Sequence, residues 1–287
     1  MSGSPDLVER AVNVMPTPVR GEQPSCSVNR PMAIEFGKTA EDYARHRAGF
    51  PESLFDRLVT FGIGRSGREV VDVGTGTGTV ARNFALRGCR VVGIDPSPEM
   101  TDQSRQLDAE AGVHVDYRVA TAEATGLPGS AYDVFSAGQC WHWFDRASAA
   151  SEARRVLRPG AAVVICHLDW LPLPGSVPEA TESLILQHNP KWGGAGGCGM
   201  YPNWAADVAG AGFTGIETFS YDIKLPYSHA TWRGRIRASA GVAASLPTEA
   251  VESFDNEHAA MLAQRFPGET LLVPHRVWAL LAWAPKA

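Results

Sequence analysis

The sequence predicts an α/β fold in which helices cover a largely parallel sheet. Short apolar segments alternate with amphipathic helical segments from residue 70 to residue 168, and this alternation is typical of parallel sheets. A glycine-rich turn joins the first strand to the helix that follows it, as in nucleotide-binding α/β units. An insertion follows the fifth strand, and two further apolar segments, residues 213–225 and 275–284, are predicted to complete the sheet.

The first α/β unit, residues 70–100, predicts a cofactor that contains a nucleoside. Its first strand leads into a turn that contains Gly74, Gly76 and Gly78, and its second strand ends in Asp95. Because glycine has no Cβ, the backbone N–H groups of such a turn can lie against a ligand. The helix that follows directs its partly positive end towards the same ligand. Asp95 is placed to accept hydrogen bonds from both hydroxyls of a ribose.

The glycine spacing discriminates between cofactors. The dinucleotide fingerprint G-x-G-x-x-G requires a third glycine at the position of Thr79. The chain instead has the pattern acid-x-Gly-x-Gly-x-Gly, formed by Asp72, Gly74, Gly76 and Gly78. This pattern resembles motif I of the class I methyltransferases, which use S-adenosylmethionine. The resemblance implies that cofactor, a Rossmann-like sheet of seven strands with an antiparallel last strand, and a position for Asp72 near the ammonium group of the cofactor.

Length and composition narrow the class of protein. The chain has 287 residues, of which 44% are hydrophobic and 20% are charged, as in ordinary globular proteins. Its net charge of -5 argues against nucleic acid as a partner. The five cysteines are scattered, which predicts a reduced protein without a metal site or a disulfide framework. No apolar run approaches the roughly 18 residues of a membrane helix, so we expect a cytoplasmic protein without a membrane partner.

The segment before the first strand is expected to have two parts. Residues 1–31 are polar and interrupted by prolines, which predicts a mobile segment and leaves docking in a homo-oligomer open. Residues 32–62 are predicted to be part of a helical cap. Their phrase F-x-x-x-A-x-x-Y-x-x-x-R also resembles the methyltransferases and implies that Tyr43 and Arg47 cover the bound cofactor. Packing of Tyr43 in an ordinary amphipathic helix is the alternative.

Two loops are expected to form the adenine pocket. Pro96 and Met100 follow the ribose-binding acid, and in the resembling family these positions line the pocket. Thr121 stands where relatives usually carry an aspartate. This departure leaves the backbone N–H of Ala122 and the side chain of Glu123 as the adenine partners that the resemblance implies. A core position for Met100 and a ligand-free surface loop after the third strand are the alternatives.

The fourth predicted strand, residues 132–136, leads into G-Q-C-W-H-W-F, which resembles a phrase of small-molecule methyltransferases. Because ligands lie at the carboxyl ends of parallel strands, we expect this segment over the reaction centre, with Gln139 beside the cofactor. His142 is the candidate general base, since imidazole titrates near neutral pH; a role in shaping the pocket is the alternative. The predicted substrate pocket consists of Trp141, Trp143, Phe144, His167 and Trp170.

A single methyltransferase domain, residues 32–287, is predicted to combine a core with a cap. The core comprises residues 66–170, 201–225 and 271–287, and the cap comprises residues 32–62, 171–200 and 226–270. Within the cap, residues 193–199 contain five glycines, so we expect a mobile loop there.

The predicted function is methyl transfer from S-adenosylmethionine to a small-molecule acceptor, with a secondary metabolite as one candidate. Because the sulfonium methyl group is already electrophilic, positioning of the acceptor is expected to be the main catalytic factor. Two alternatives stay open. One is a nicotinamide-dependent dehydrogenase, which Thr79 disfavours, and the other is a non-catalytic cofactor-binding protein of the same fold.

Overall fold

The computed structural model describes residues 49–243 and 245–286, so the predicted cofactor-covering residues Tyr43 and Arg47 lie outside the described residues. The strands are β1 (Glu69–Val73), β2 (Arg90–Asp95), β3 (Asp116–Val119), β4 (Tyr132–Gly138), β5 (Leu157–Trp170), β6 (Thr214–Tyr227) and β7 (Leu271–Trp283). The helices of the described residues are α1 (Glu52–Thr60), α2 (Thr79–Leu86), α3 (Pro98–Ala111), α4 (Arg146–Val156), α5 (Val177–His188), α6 (Trp204–Gly210), α7 (His229–Arg237) and α8 (Thr248–Arg265). A 3₁₀ turn, Trp141–Trp143, follows β4.

The strands form one seven-stranded sheet in the order β3-β2-β1-β4-β5-β7-β6. Strands β1 to β5 pair in parallel, and β7 runs antiparallel to both β5 and β6. The predicted fold class, including the antiparallel last strand, is therefore confirmed. The chain leaves β1 towards β2 on one side and later returns to β4 on the other. A crevice at the carboxyl ends of β1 and β4 follows from this change of direction, and such crevices bind ligands in α/β sheets.

Strand β5 separates two apolar layers. Val163 and Ile165 are buried with α4 and α6 on one face of the sheet. Ala162 and Val164 are buried with α1 and α2 on the other face. Burial on both faces explains the continuous apolar run of this strand. The strand begins at Leu157, before this apolar run. Gly160 adopts a positive φ of 74° within it and accommodates the irregular pairing with β4.

Helices α5, α7 and α8 form a third apolar cluster with Trp232 at its centre, fully buried. The Thr181 hydroxyl accepts a hydrogen bond from Trp232 Nε1 at 3.1 Å and lies 3.2 Å from His258 Nε2. Burial lowers the pKa of His258 to about 4, so this histidine is neutral near pH 7. The cluster reaches Leu271, which pairs with Tyr227 at the end of β6. These three helices therefore lie at the edge of the sheet where β5 and β6 end.

Helix α5 lies in the predicted cap segment, residues 171–200, where no individual helix was located from the sequence. Two prolines near its start, Pro174 and Pro178, obscured the helical spacing. The helix begins after Ser176, whose hydroxyl accepts from the N–H of Glu179 at 3.3 Å, and Pro178 lies in the first turn, where proline is tolerated. None of the helices in the part of the chain that the structure describes has the length and hydrophobicity to cross a membrane.

Candidate cofactor and substrate site

The glycine turn after β1 contains one position that faces open space. Gly74, Gly76 and Gly78 all adopt positive φ angles, between 55° and 76°. A Cβ at Gly74 would lie 2.8 Å from the Cβ of Cys140, and one at Gly78 would overlap the hydroxyl of Tyr117. A Cβ at Gly76 would meet nothing within 4 Å. Gly74 and Gly78 therefore allow close packing, whereas Gly76 leaves room for a ligand.

Asp72 connects this turn to the neighbouring strand by hydrogen bonds. Its side chain is buried, with Oδ2 accepting from the Thr75 hydroxyl and Oδ1 accepting from the Ser136 hydroxyl, both at 2.7 Å. Burial raises the pKa of Asp72 to about 6, and the two hydroxyl donors partly offset that effect. The carboxyl group thus ties the turn to β4. The expected contact of Asp72 with the ammonium group of a cofactor stays a prediction.

Asp95, at the end of β2, lies against the same turn. Its Oδ2 accepts from the N–H of Gly76 at 2.8 Å, and its Oδ1 accepts from the N–H of Ser97 at 3.0 Å. Burial raises the pKa of Asp95, and the two backbone donors act in the opposite direction. The carboxylate is therefore fixed beside the open space over Gly76, where a ribose could reach it.

The residues predicted for the adenine pocket occupy different environments. Met100 is buried at the start of α3, whereas Pro96 is exposed. Ala122 is buried in the core between the sheet and α4. Glu123 accepts a hydrogen bond from the N–H of Asp145, which precedes α4, at 2.9 Å. All four follow strands β2 or β3 at the carboxyl edge of the sheet, and their contacts with adenine stay predictions.

Trp141 is a core residue, and its assignment to the substrate pocket stays a prediction. Its side chain is fully buried in the core, and its Nε1 donates to Asp207 of α6 at 3.0 Å. The 3₁₀ turn directs its first residue back against α6, while His142 and Trp143 are half-buried. Phe144 lies edge-to-face against Trp141, with ring centroids 5.9 Å apart, and contacts the glycine turn.

His142 approaches a cluster of polar residues at the end of β5. Its ring centroid lies 5.5 Å from that of His167. The Asp169 carboxylate accepts from the Tyr201 hydroxyl at 2.8 Å and from Gln139 Nε2 at 3.2 Å, and it lies 3.4 Å from Nδ1 of His167. Gln139 adopts a positive φ of 59°, a strained conformation typical of functional sites. Gln139 and His167 belong to the predicted site, and Tyr201 joins them from a distant segment of the chain.

Aromatic rings enclose His167, which is itself buried. Tyr201 stacks on Trp204 with ring centroids 4.1 Å apart and an interplanar angle of 8°. His167 lies 4.4 Å from the Tyr201 ring and 4.9 Å from the Trp204 ring. Trp278 of β7 meets both aromatic rings edge-on. This side of β5 therefore carries a largely buried aromatic wall around His167, with the half-buried Asp169 carboxylate beside it.

Trp170 lies on the other side of β5. Its Nε1 donates to Glu182 of α5 at 2.7 Å, and its ring meets that of Trp232 edge-on at 5.7 Å. The guanidinium carbon of Arg235 lies 5.0 Å from the Trp170 ring centroid. Because the odd- and even-numbered residues of a strand point to opposite faces, the predicted pocket residues His167 and Trp170 fall into two separate groups.

Comparison with known proteins relates the core of this chain to methyltransferases. Residues 71–165 match a family model described as a methyltransferase domain. An uncharacterised methyltransferase of Mycobacterium tuberculosis is 36% identical over 136 residues, which cover 47% of this chain and 52% of that protein. Malonyl-[acyl-carrier protein] O-methyltransferase of Salmonella typhimurium is 33% identical over 153 residues, which cover 53% of this chain and 57% of that protein. The chain thus spans about half the length of the curated relatives it matches.

The fold of this chain is also similar to that of a solved methyltransferase structure. Phosphoethanolamine N-methyltransferase 2 of Haemonchus contortus was solved with phosphomonomethylethanolamine and S-adenosylhomocysteine. Its TM-score is 0.53 at 19% identity, and the match covers 87% of this chain and 58% of that one. At this identity the likeness concerns the fold alone.

Proposed function

From the class I methyltransferase domain that this chain carries, we propose that the protein transfers a methyl group from S-adenosylmethionine to a small-molecule acceptor. The observation that carries the proposal is the open space over Gly76 with the Asp95 carboxylate fixed beside it. Secondary metabolites are among the acceptors that we propose, and a cytoplasmic location is consistent with the composition of the chain.

The residues at this edge fit the proposed cofactor. Asp95 can accept hydrogen bonds from the two ribose hydroxyls, while Gly76 lets the ligand approach the backbone. The start of α2 lies directly after the turn and contributes its partly positive end. Asp72 supplies a negative charge near the expected position of the ammonium group. When bound, S-adenosylmethionine supplies an electrophilic methyl group on a sulfonium ion.

The chain itself would position the acceptor and exclude water. The aromatic wall formed by Tyr201, Trp204 and Trp278 covers the end of β5 on one side, and good positioning alone reaches effective molarities of about 10⁵ to 10⁸ M. His142 is placed between that wall and the end of β4, where we propose it takes a proton from the acceptor. His167 lies next to His142, and Asp169 lies next to His167, so both can orient the His142 ring or the acceptor.

Calorimetric titration with S-adenosylmethionine, S-adenosylhomocysteine and NAD tests the proposal. We expect both sulfur compounds to bind and NAD to give no heat. Binding of NAD without a response to the other two would instead support a dehydrogenase. Incubation with methyl-labelled cofactor and a panel of small molecules then tests catalysis, because binding without label transfer would support the non-catalytic alternative.

Cofactor affinity should depend on pH through Asp72. Because burial raises its pKa to about 6, the carboxyl group is mostly protonated at pH 5, whereas an α-amino group keeps its charge below about pH 7.7. An ammonium group binds the ionised form more strongly. We therefore expect the affinity for S-adenosylhomocysteine to fall about tenfold from pH 7 to pH 5, measured by calorimetry.

Asp72→Asn should flatten that profile. As a second control, 5′-methylthioadenosine lacks the ammonium group, so its affinity should change little over the same range. A flat profile in the wild type, or an equal slope for 5′-methylthioadenosine, would remove Asp72 from the ammonium site.

Alanine substitutions in the glycine turn should separate packing from binding. Both Gly76→Ala and Gly78→Ala place an L-residue at positive φ, which costs about 1 to 2 kcal/mol. Gly78→Ala adds the overlap with the Tyr117 hydroxyl, so its melting temperature should fall further. Gly76→Ala instead fills the ligand space, and it should lose more cofactor affinity than its small loss of stability predicts. Normal affinity in folded Gly76→Ala protein would contradict this division.

A further inference from the structure

Helix α7 carries three arginines, and only two of them have an ionic partner in the described part of the chain. Arg233 and Arg237 both bond to Asp255 of α8, with Nη1 of Arg237 at 2.7 Å from Oδ1. Arg235 is about 200° around the helix from each of them, and therefore projects from the opposite side. Within residues 49–243 and 245–286, its guanidinium has no hydrogen-bond acceptor and no carboxylate within 4.0 Å.

Arg235 is held over a rigid aromatic base. Its guanidinium carbon lies 5.0 Å from the centroid of the Trp170 ring. Trp170 is itself fixed, because its Nε1 donates to Glu182 at 2.7 Å and its ring packs against Trp232. A guanidinium stacked on a fixed ring loses little further freedom when it binds a planar anion.

Arg235 lies at the carboxyl edge of the sheet. Trp170 ends β5 and pairs with His275 near the start of β7. The charge of Asp169 acts on Arg235 across this edge, and Asp169 also accepts from Gln139 and Tyr201 in the candidate site. Arg235 therefore lies on the cap side of β5, near enough to Asp169 to feel its charge.

The electrostatic surroundings of Arg235 favour an anion from solution. Burial lowers its pKa, which reflects the cost of keeping the cation away from water, and the nearby Tyr227 and Asp169 oppose that effect only in part. His275 supplies no competing positive charge near pH 7, because burial lowers its pKa to about 4 and its Nδ1 lies 3.0 Å from the carbonyl oxygen of Val273. Arg235 is half-buried, and a guanidinium without a bonded carboxylate is stabilised when an oxyanion reaches its planar fork.

We propose that Arg235, stacked on Trp170, binds a carboxylate or similar oxyanion of the acceptor and so selects organic acids that carry a second, methyl-accepting group. This inference rests on the proposed methyltransferase function and adds the substrate class to it. The anion would lie on the cap side of β5, and the reacting group would reach across to the segment that follows β4. An acceptor of this kind would contact both groups of residues, the one around His167 and the one around Trp170, which lie on opposite sides of β5.

Matched acids and neutral analogues test the proposal in the presence of saturating S-adenosylhomocysteine. The probes are 4-hydroxybenzoate, 4-hydroxycinnamate and phenyl phosphate, each against a neutral partner: the two primary amides and phenol. We expect calorimetry to show binding of at least one acid at millimolar concentration and at least tenfold weaker binding of its neutral partner. The phosphate arm distinguishes a phosphate site from a carboxylate site.

Arg235→Gln should weaken binding of the preferred acid by about 10- to 150-fold, the range for charge-assisted hydrogen bonds. Arg235→Lys keeps the positive charge but not the planar guanidinium group, and it should lose less affinity for the acid than Arg235→Gln. Arg265→Gln is the matched control, since Arg265 is also an arginine over an aromatic ring, 5.6 Å from that of Phe266, but is exposed at the end of α8. The affinity for S-adenosylhomocysteine should stay unchanged in all three variants, which shows that they are folded.

Three results would overturn the proposal. They are equal binding of acids and neutral partners, unchanged acid binding in Arg235→Gln, and no acid binding to the wild type at millimolar concentration. Each of them leaves cofactor binding intact, whereas failure of the wild type to bind S-adenosylhomocysteine would overturn the methyltransferase function itself.

Discussion

Asp95→Ala should weaken the binding of S-adenosylhomocysteine by about 5- to 150-fold, which corresponds to about 1 to 3 kcal/mol. The side chain is nearly buried, so its hydrogen bonds to ligand would form away from water. The substitution removes the proposed acceptor of two ribose hydroxyls. It also leaves the N–H of Gly76 without the partner that holds the turn open, at 2.8 Å in the present structure.

Calorimetric titration measures this loss, and two further variants serve as comparisons. Asp95→Asn retains one acceptor oxygen and should lose less affinity than Asp95→Ala. Asp102→Ala removes an exposed carboxylate from α3, where it pairs with Arg105, and should bind like the wild type. Because the ribose is the contact in question, 5′-methylthioadenosine should lose affinity by the same factor. Wild-type affinity in Asp95→Ala would remove this residue from the cofactor site.

The glycine turn and the Asp95 carboxylate beside it were predictable because their signals are local. A short apolar strand, a turn that requires positive φ and an amphipathic helix lie within 30 residues, so their order in the sequence dictates their arrangement in space. The carboxylate of Asp95 reaches Gly76 because parallel strands end at the same edge. The caps of α4 and α3 are equally local: Asp145 and Ser97 each accept a hydrogen bond from an N–H three residues further on.

The surroundings of Trp141 and of the end of β5 were harder to predict because long-range contacts determine them. Trp141 is directed into the core by Asp207, 66 residues away, and the sequence around Trp141 is equally compatible with an exposed ring. Tyr201 reaches Asp169 across 32 residues, and Arg235 reaches Trp170 only after α5 and α7 have packed. Helix α5 did leave a local signal, a serine followed three residues later by a glutamate, but the neighbouring prolines concealed it.

His142→Ala should lower turnover by about 10²- to 10⁴-fold for an acceptor that must lose a proton, such as a phenol. The half-buried ring lies on the turn after β4, and its centroid is 5.5 Å from that of His167, beside the end of β5. The affinity for S-adenosylhomocysteine should change little, because the proposed contacts of the cofactor are made by other residues. The acidic limb of the pH profile of kcat/KM should also disappear, since a general base is active only when unprotonated.

The same variant separates the two roles that the sequence left open for His142. An ionised carboxylate has no proton to lose, so methyl transfer to it should be almost unaffected if His142 acts as a base. If His142 instead shapes the pocket, KM should rise for both kinds of acceptor while kcat and the pH profile stay the same. His114→Ala provides the control, since His114 is exposed just before β3. Unchanged turnover of a phenol in His142→Ala would show that this histidine is not the base.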